Sequence, residues 1–159
     1  MVATMRTRVI ARMAGLLPAL LAACLTLPAP AQTTATDTVY VAFDLETTGF
    51  SPERDRIIEL AAIRFSPDGT VLSNRVWLID PGQPIPPSAQ AVHGITDAMV
   101  AGQPDFGATY PEFLAFASNA VLLAHNARFD RGFLAAEAAR HQLPPPANPV
   151  IDTLPLERT

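Results

Sequence analysis

The order of local patterns along this chain predicts an α/β domain: one mixed sheet covered by helices. Three observations carry that prediction. Three strand-like runs follow one another between residues 39 and 79, joined by segments with turn chemistry. Two longer segments downstream carry apolar residues at helical spacing. A short apolar run lies between those helices and another follows them. Consecutive strands joined by turns predict an antiparallel meander, and strands alternating with helices predict parallel additions to the same sheet.

The 159 residues suffice for one domain with a core, and 49% hydrophobic with 16% charged content excludes a disordered chain. The first strand is predicted over 39–45. A loop over 47–54 holds Gly49 and Pro52, and residues 56–65 form a second apolar strand. Ser66-Pro67-Asp68-Gly69 places Pro early and Gly last, as a tight turn requires. A third strand over 70–79 puts Val71, Arg75, Trp77 and Ile79 on one face. After a proline-rich loop, Ser88 is expected to cap a short helix and Thr96 another. Residues 105–118 carry Phe106, Tyr110, Phe113, Leu114 and Ala117 at helical spacing. A buried strand is predicted at 121–124. A helix over 126–142 presents Phe129, Phe133, Leu134 and Ala138, and Pro144-Pro145-Pro146 ends it. Val150-Ile151 begins a last strand.

The N-terminus is a separate object. Arg6, Arg8 and Arg12 precede an apolar run, and no acidic residue occurs before Asp37. This is the pattern of an export signal over 1–31, followed by a linker over 32–38. The run is short for a membrane span, which needs roughly 20 apolar residues, and Pro18 interrupts it. Two processing routes are open: cleavage after Ala29-Pro30-Ala31, or lipidation of Cys24 in Leu21-Ala22-Ala23-Cys24. The second would attach the protein to a membrane. Export implies a periplasmic or lipid-anchored protein, whereas a start codon other than Met would leave a cytoplasmic one. No lysine is present, and the net charge is −4. Cleavage before Gln32 leaves eight arginines against fifteen acids, −7. Such a chain advertises no basic surface for nucleic acid, so contact with phosphates would need local neutralisation by cations.

The chemistry concentrates in Asp44-Leu45-Glu46-Thr47-Thr48-Gly49. Side chains alternate along a strand, so Asp44 and Glu46 share one face and Leu45 points into a core. Two carboxylates at a buried strand end repel and lose hydration unless a cation sits between them. Asp130 falls in the first turns of the 126–142 helix, where its charge suits the helix dipole. If that helix starts beside the first strand, three carboxylates surround hard divalent cations, Mg²⁺ or Mn²⁺. Two ions roughly 3.5–4 Å apart would activate a water and stabilise the leaving oxygen of a phosphodiester.

These segments resemble the DEDD (DnaQ-like) 3′–5′ exonuclease family, with its RNase H-like fold, and are similar to the proofreading ε subunit of bacterial DNA polymerase III. The resemblance rests on Phe43-Asp44-Leu45-Glu46-Thr47-Thr48-Gly49 and His125-Asn126-Ala127-Arg128-Phe129-Asp130. Ile58-Glu59-Leu60-Ala61-Ala62-Ile63 and Val92-His93-Gly94-Ile95-Thr96 match between them, in order. It implies that Asp44, Glu46 and Asp130 are catalytic metal ligands for two divalent cations, Mg²⁺ or Mn²⁺. It implies that Leu45, Thr47, Thr48 and Gly49 lie along the terminal nucleotide, with His93, Asn126 and Phe129 as further substrate contacts. The implied reaction releases nucleoside 5′-monophosphates from single-stranded or frayed DNA. RNA stays open, because no residue that reads a 2′-hydroxyl is identifiable.

The family's third motif, His-x-x-x-x-Asp, supplies a general base and a fourth carboxylate. Ile151-Asp152-Thr153-Leu154 resembles the segment before it, and no His-x-x-x-x-Asp follows that segment in these 159 residues; the same spacing from His125 to Asp130 belongs to the second motif. His141 does not substitute, because Pro146 stands five residues on. The expectation is an exonuclease domain over 39–159, C-terminally incomplete and weak or inactive, since a general base contributes about 10²–10⁴-fold. The alternative is a noncatalytic nucleic-acid or metal-binding remnant. An exported protein would not meet a polymerase partner. Arg54, Arg56 and Arg128 read either as phosphate contacts or as solvated charges, and Phe50 either as a base-stacking ring or as a surface residue.

Overall fold

The computed structural model describes residues 38–155. The expected signal over 1–31, with Cys24 and both processing sites, lies outside the described residues, as does nearly all of the linker. The described residues form β1 (Val39–Thr47), β2 (Ile57–Phe65), β3 (Val71–Leu78), α1 (Pro87–His93), α2 (Asp97–Val100), α3 (Phe106–Phe116), β4 (Ala120–Ala124), α4 (Ala127–Arg140) and β5 (Val150–Asp152). The sheet order is β3-β2-β1-β4-β5. β1 pairs antiparallel with β2, as β2 does with β3, while β4 runs parallel to β1 and to β5. The predicted meander and its parallel additions are both present, with β1 at their junction.

Alternation sorts the strands into two faces. Val41, Phe43 and Leu45 join Leu60, Ala62 and Leu122 in the larger core, under Tyr110 and Phe113 of α3 and Phe133 and Leu134 of α4. Tyr40, Ala42, Ala61, Ile63, Phe65 and Leu123 form a second cluster on the other face. Asp44 and Glu46 continue the Tyr40–Ala42 row of that second face. The register holds from Tyr40↔Phe65 to Glu46↔Glu59 and then slips, so that Thr47 faces Ile57 and Ile58 is left over. This bulge frees Ile58 to pack with Ile85, Ile95 and Val100, which moors the α1–α2 segment to the sheet.

Local details depart from expectation at the helix ends. α1 begins with Pro87 at its first position and no side-chain cap, so Ser88 does not cap it. Proline's fixed φ serves that position instead. Thr96 precedes α2 with extended backbone and makes no capping bond. Asp105 does cap α3, accepting from the Ala108 N–H at 2.9 Å. α4 stops at Arg140, before the proline run, and Gln142 takes a left-handed φ of 57°. On the edge strand β3, residues 71–75 are exposed and Trp77 is buried. Arg75 lies over the indole at 5.6 Å, and Glu112 accepts from both Arg75 (3.0 Å) and Trp77 Nε1 (3.1 Å).

Candidate active site

The site grows from the end of β1. Asp44 and Glu46 are half-buried on the second face, and Glu59 of β2 stands directly opposite Glu46. Glu59 is 3% exposed and its Oε1 has no hydrogen-bond partner. Burial first, then the charges of Glu46 and Asp44, push its carboxyl up to about 7. The sequence reading placed Glu59 on a strand and gave it no role. Its signal was a glutamate inside an otherwise apolar strand, and its meaning depends on the register with Glu46.

Because β4 lies beside β1 and parallel to it, the chain leaves β4 at the end of the sheet where Glu46 sits. Asn126 turns the chain there in a left-handed conformation (φ 63°), its N–H held by Asp152 Oδ1 at 3.0 Å. α4 then begins, and Asp130 falls in its first turns, 3% exposed. Burial, followed by the Asp44 charge, raises the Asp130 carboxyl to about 7; Asp152 adds to the rise, and hydrogen bonds from the Asp130 and Leu45 backbones oppose it. Asp152 Oδ1 also accepts from the Leu154 N–H at 3.0 Å, fixing the turn after β5. Asp152, Arg128 and Arg131 line a groove of about 500 Å³ beside α4.

Five carboxylates from four elements therefore face one region. Among the described residues, no group of three or more His, Cys, Asp or Glu side chains is already gathered into a metal cage. The donor set nonetheless fits a hard divalent cation: every donor is a carboxylate oxygen, one buried oxygen lacks a hydrogen-bond partner, and burial, then neighbouring negative charge, raises the carboxyls of Glu59 and Asp130 to about 7.

The loop after β1 is tied down from within. Thr47 Oγ1 donates to the Gly49 carbonyl at 2.6 Å. Thr48 is buried; its hydroxyl donates to Asp55 Oδ1 and accepts from the Arg56 N–H (3.0 Å) and Gln83 Nε2 (3.1 Å). Asp55 Oδ2 accepts from the Ser51 N–H at 2.8 Å. A Cβ on Gly49 would stand 2.4 Å from Asp55 Oδ2, so this position accepts only glycine without movement. Phe50 is 89% exposed on this tethered loop.

The remaining expected residues are placed as follows. The Leu45 side chain is in the core, leaving its backbone to face the site. His93 is half-buried, and its Nδ1 accepts from the Ile95 N–H at 3.0 Å, which puts the proton on Nε2. That buried Nε2 makes no hydrogen bond, though it is turned toward the Thr47 backbone. Burial lowers the His93 pKa and the Thr47 backbone partly opposes this. Asn126 is exposed, whereas Phe129 packs on Phe133 at 4.9 Å between ring centres. His125 Nδ1 lies 3.3 Å from Thr153 Oγ1. His141 follows the far end of α4, about 16 Å along the axis from Asp130, against Phe106 and Glu137. Its position agrees with its exclusion as a general base.

A mixed five-stranded sheet flanked by helices, with carboxylates near the end of its central strand, is an RNase H-like α/β fold. Residues 41–159 match the Exonuclease family (RNase_T), and the chain belongs to it. It is 42% identical over 122 residues to the PolC-type DNA polymerase III of Clostridium perfringens, and 43% to that of Halalkalibacterium halodurans. Each match takes in 77% of this chain and 8% of the relative, so the chain spans less than a tenth of those polymerases. Among solved structures, a product-bound exonuclease I superposes with a TM-score of 0.70 at 23% identity, over 76% of this chain and 31% of that one. Escherichia coli exonuclease I in complex with a dT13 oligonucleotide gives 0.69 at 23%, over 77% and 29%. These two likenesses establish the fold.

Proposed function

We propose that this domain removes nucleotides from the 3′ end of single-stranded or frayed DNA, releasing nucleoside 5′-monophosphates, with Mg²⁺ or Mn²⁺ at the carboxylates. The observation that carries the reading is the convergence of half-buried Asp44 and Glu46 with buried Glu59 and Asp130 at the end of β1, beside the tethered loop that bears Gly49 and Phe50. Asp44, Glu46 and Asp130 would hold the ions. Bound there, two cations lower the pKa of a water and neutralise charge on the phosphodiester. The chain's own residues do the rest. Thr47 and Thr48 fix the loop, Phe50 offers a ring to a base, and His93 presents a neutral Nε2–H donor. Arg128, exposed in the first turn of α4, suits a phosphate. The complex of exonuclease I with a dT13 oligonucleotide supports a single-stranded substrate.

A 3′-labelled oligonucleotide assay with Mg²⁺ or Mn²⁺ tests this. Cleavage that Asp44→Ala abolishes supports it, and cleavage that survives Asp44→Ala overturns it. The alternative reading is cation and DNA binding with little turnover. Mn²⁺ titration beside the cleavage assay separates the two. We also propose that residues 1–31 direct export, by cleavage or through lipidation of Cys24. Sequencing the N-terminus of the mature protein decides it, and an intact Met1 sinks it.

A further inference from the structure

We propose that Glu137 and Arg140, on the half of α4 far from Asp130, are positioning residues that latch the loop 48–56 in its nucleotide-binding geometry; this rests on the exonuclease reading above. Glu137 is only 2% exposed. Its Oε1 accepts from the Ile57 N–H at 3.3 Å, where the loop rejoins the sheet. Arg140 Nη1 lies 3.3 Å from the same oxygen, and Arg140 Nη2 donates to the Pro52 carbonyl in the middle of the loop. Gly132, two turns before Arg140, lies beside the Pro52 ring, where a Cβ would make an ordinary contact 3.6 Å from Pro52 Cγ.

Both polar attachments end on backbone atoms of the loop region. They therefore fix main-chain geometry rather than a neighbouring side chain. That geometry matters because the Asp55 carboxylate fills the space that a side chain at Gly49 would need, so the two halves of the loop are closely apposed. A buried carboxylate is a costly way to pack a helix on a loop, and apolar side chains would do so with less desolvation. A charged fork, in contrast, specifies where Pro52 and Ile57 sit. α4 carries Asp130 at one end and the latch at the other. One rigid helix thus sets the spacing between the carboxylates and the loop that bears Gly49 and Phe50.

The test uses the full chain and reads three things: amide hydrogen exchange at residues 49–55, affinity for a 5′-fluorescent oligothymidylate with a free 3′-hydroxyl in Ca²⁺, and the melting temperature. Arg140→Gln should speed exchange in the loop about 10-fold and weaken oligonucleotide binding about 10-fold, the scale of one hydrogen bond to a charged group. β1 and the first half of α4 should keep their protection. Arg140→Lys should restore part of both effects, since one ammonium reaches the Pro52 carbonyl without forking to Glu137. If exchange at 49–55 is unchanged in Arg140→Gln, or rises equally across β1 and α4, the latch is overturned. So too if the loop loosens while affinity stays at the wild-type value. Wild-type protein without oligonucleotide affinity overturns the functional reading and the substrate half of the proposal with it; the exchange measurement needs no ligand, so the two failures are distinguishable.

Discussion

Glu59 shows how much a single residue contributes to the site. It is buried beside Glu46 and Asp44, and its carboxyl stays protonated up to about pH 7. The sign of the resulting pH dependence follows from linkage. With the folded pKa above the unfolded value, the folded state holds the extra proton, so stability falls as pH rises from about 4.5 to 7. Glu59→Gln removes that penalty without changing the shape of the side chain. In EDTA the variant should melt several degrees above wild type at pH 8 and level with it at pH 4.5, about 4 °C for each kcal/mol recovered in a domain of this size. An equal difference at the two pH values would show that Glu59 is not the group responsible. The same residue shows where sequence reading stops. Asp44 and Glu46 were legible because alternation along one strand places them together. Glu59 joins them only through the register of a second strand, which no local pattern states.

At the scale of elements, the nucleotide loop depends on a close approach that composition does not reveal. Gly49 was legible as a turn residue, but its contact with Asp55 arises because the chain doubles back six residues later and caps itself with Ser51, Arg54 and Asp55. Likewise the nine-residue β2 was readable as a strand, whereas the bulge at Ile58 was not, because it is defined only against β1. Helix ends were misjudged by one or two residues, since prolines at 86–87 and a left-handed Gln142 replaced the expected caps. Gly49→Ala should force the Asp55 carboxylate out of place, costing about 1–3 kcal/mol in urea unfolding. Asp55→Ala alone also destabilises, through the lost bonds to Thr48 and Ser51. The double variant should cost clearly less than the two singles together, because the clash vanishes with the carboxylate. Strict additivity in that cycle would disprove the contact. Phe50→Ala should leave stability unchanged and weaken oligonucleotide binding by about 1–3 kcal/mol, the worth of one stacked base.

At the scale of the whole molecule, the carboxylates come from β1 and β2, which adjoin in sequence, and from α4 and β5, which also adjoin, with β3, α1, α2, α3 and β4 between the two pairs. The cluster therefore exists only in the assembled sheet, so binding of the proposed cation there would be coupled to folding. A ligand that binds only the folded state stabilises it by RT ln(1 + [L]/Kd), about 2.7 kcal/mol at a hundred times Kd. Protons would compete with the proposed cation: burial and the Asp44 charge raise the Asp130 carboxyl to about 7, so a cation there would have to displace its proton at lower pH. The melting temperature should therefore rise on adding Mg²⁺ or Mn²⁺, and rise more at pH 8 than at pH 5.5. Asp44→Ala should abolish most of the increase, because it removes a carboxylate whose charge acts on both Glu59 and Asp130. A cation-induced shift of the same size at both pH values, or one that survives in Asp44→Ala, would place the bound cation elsewhere on the molecule and remove the physical basis for assigning the chemistry to this end of the sheet.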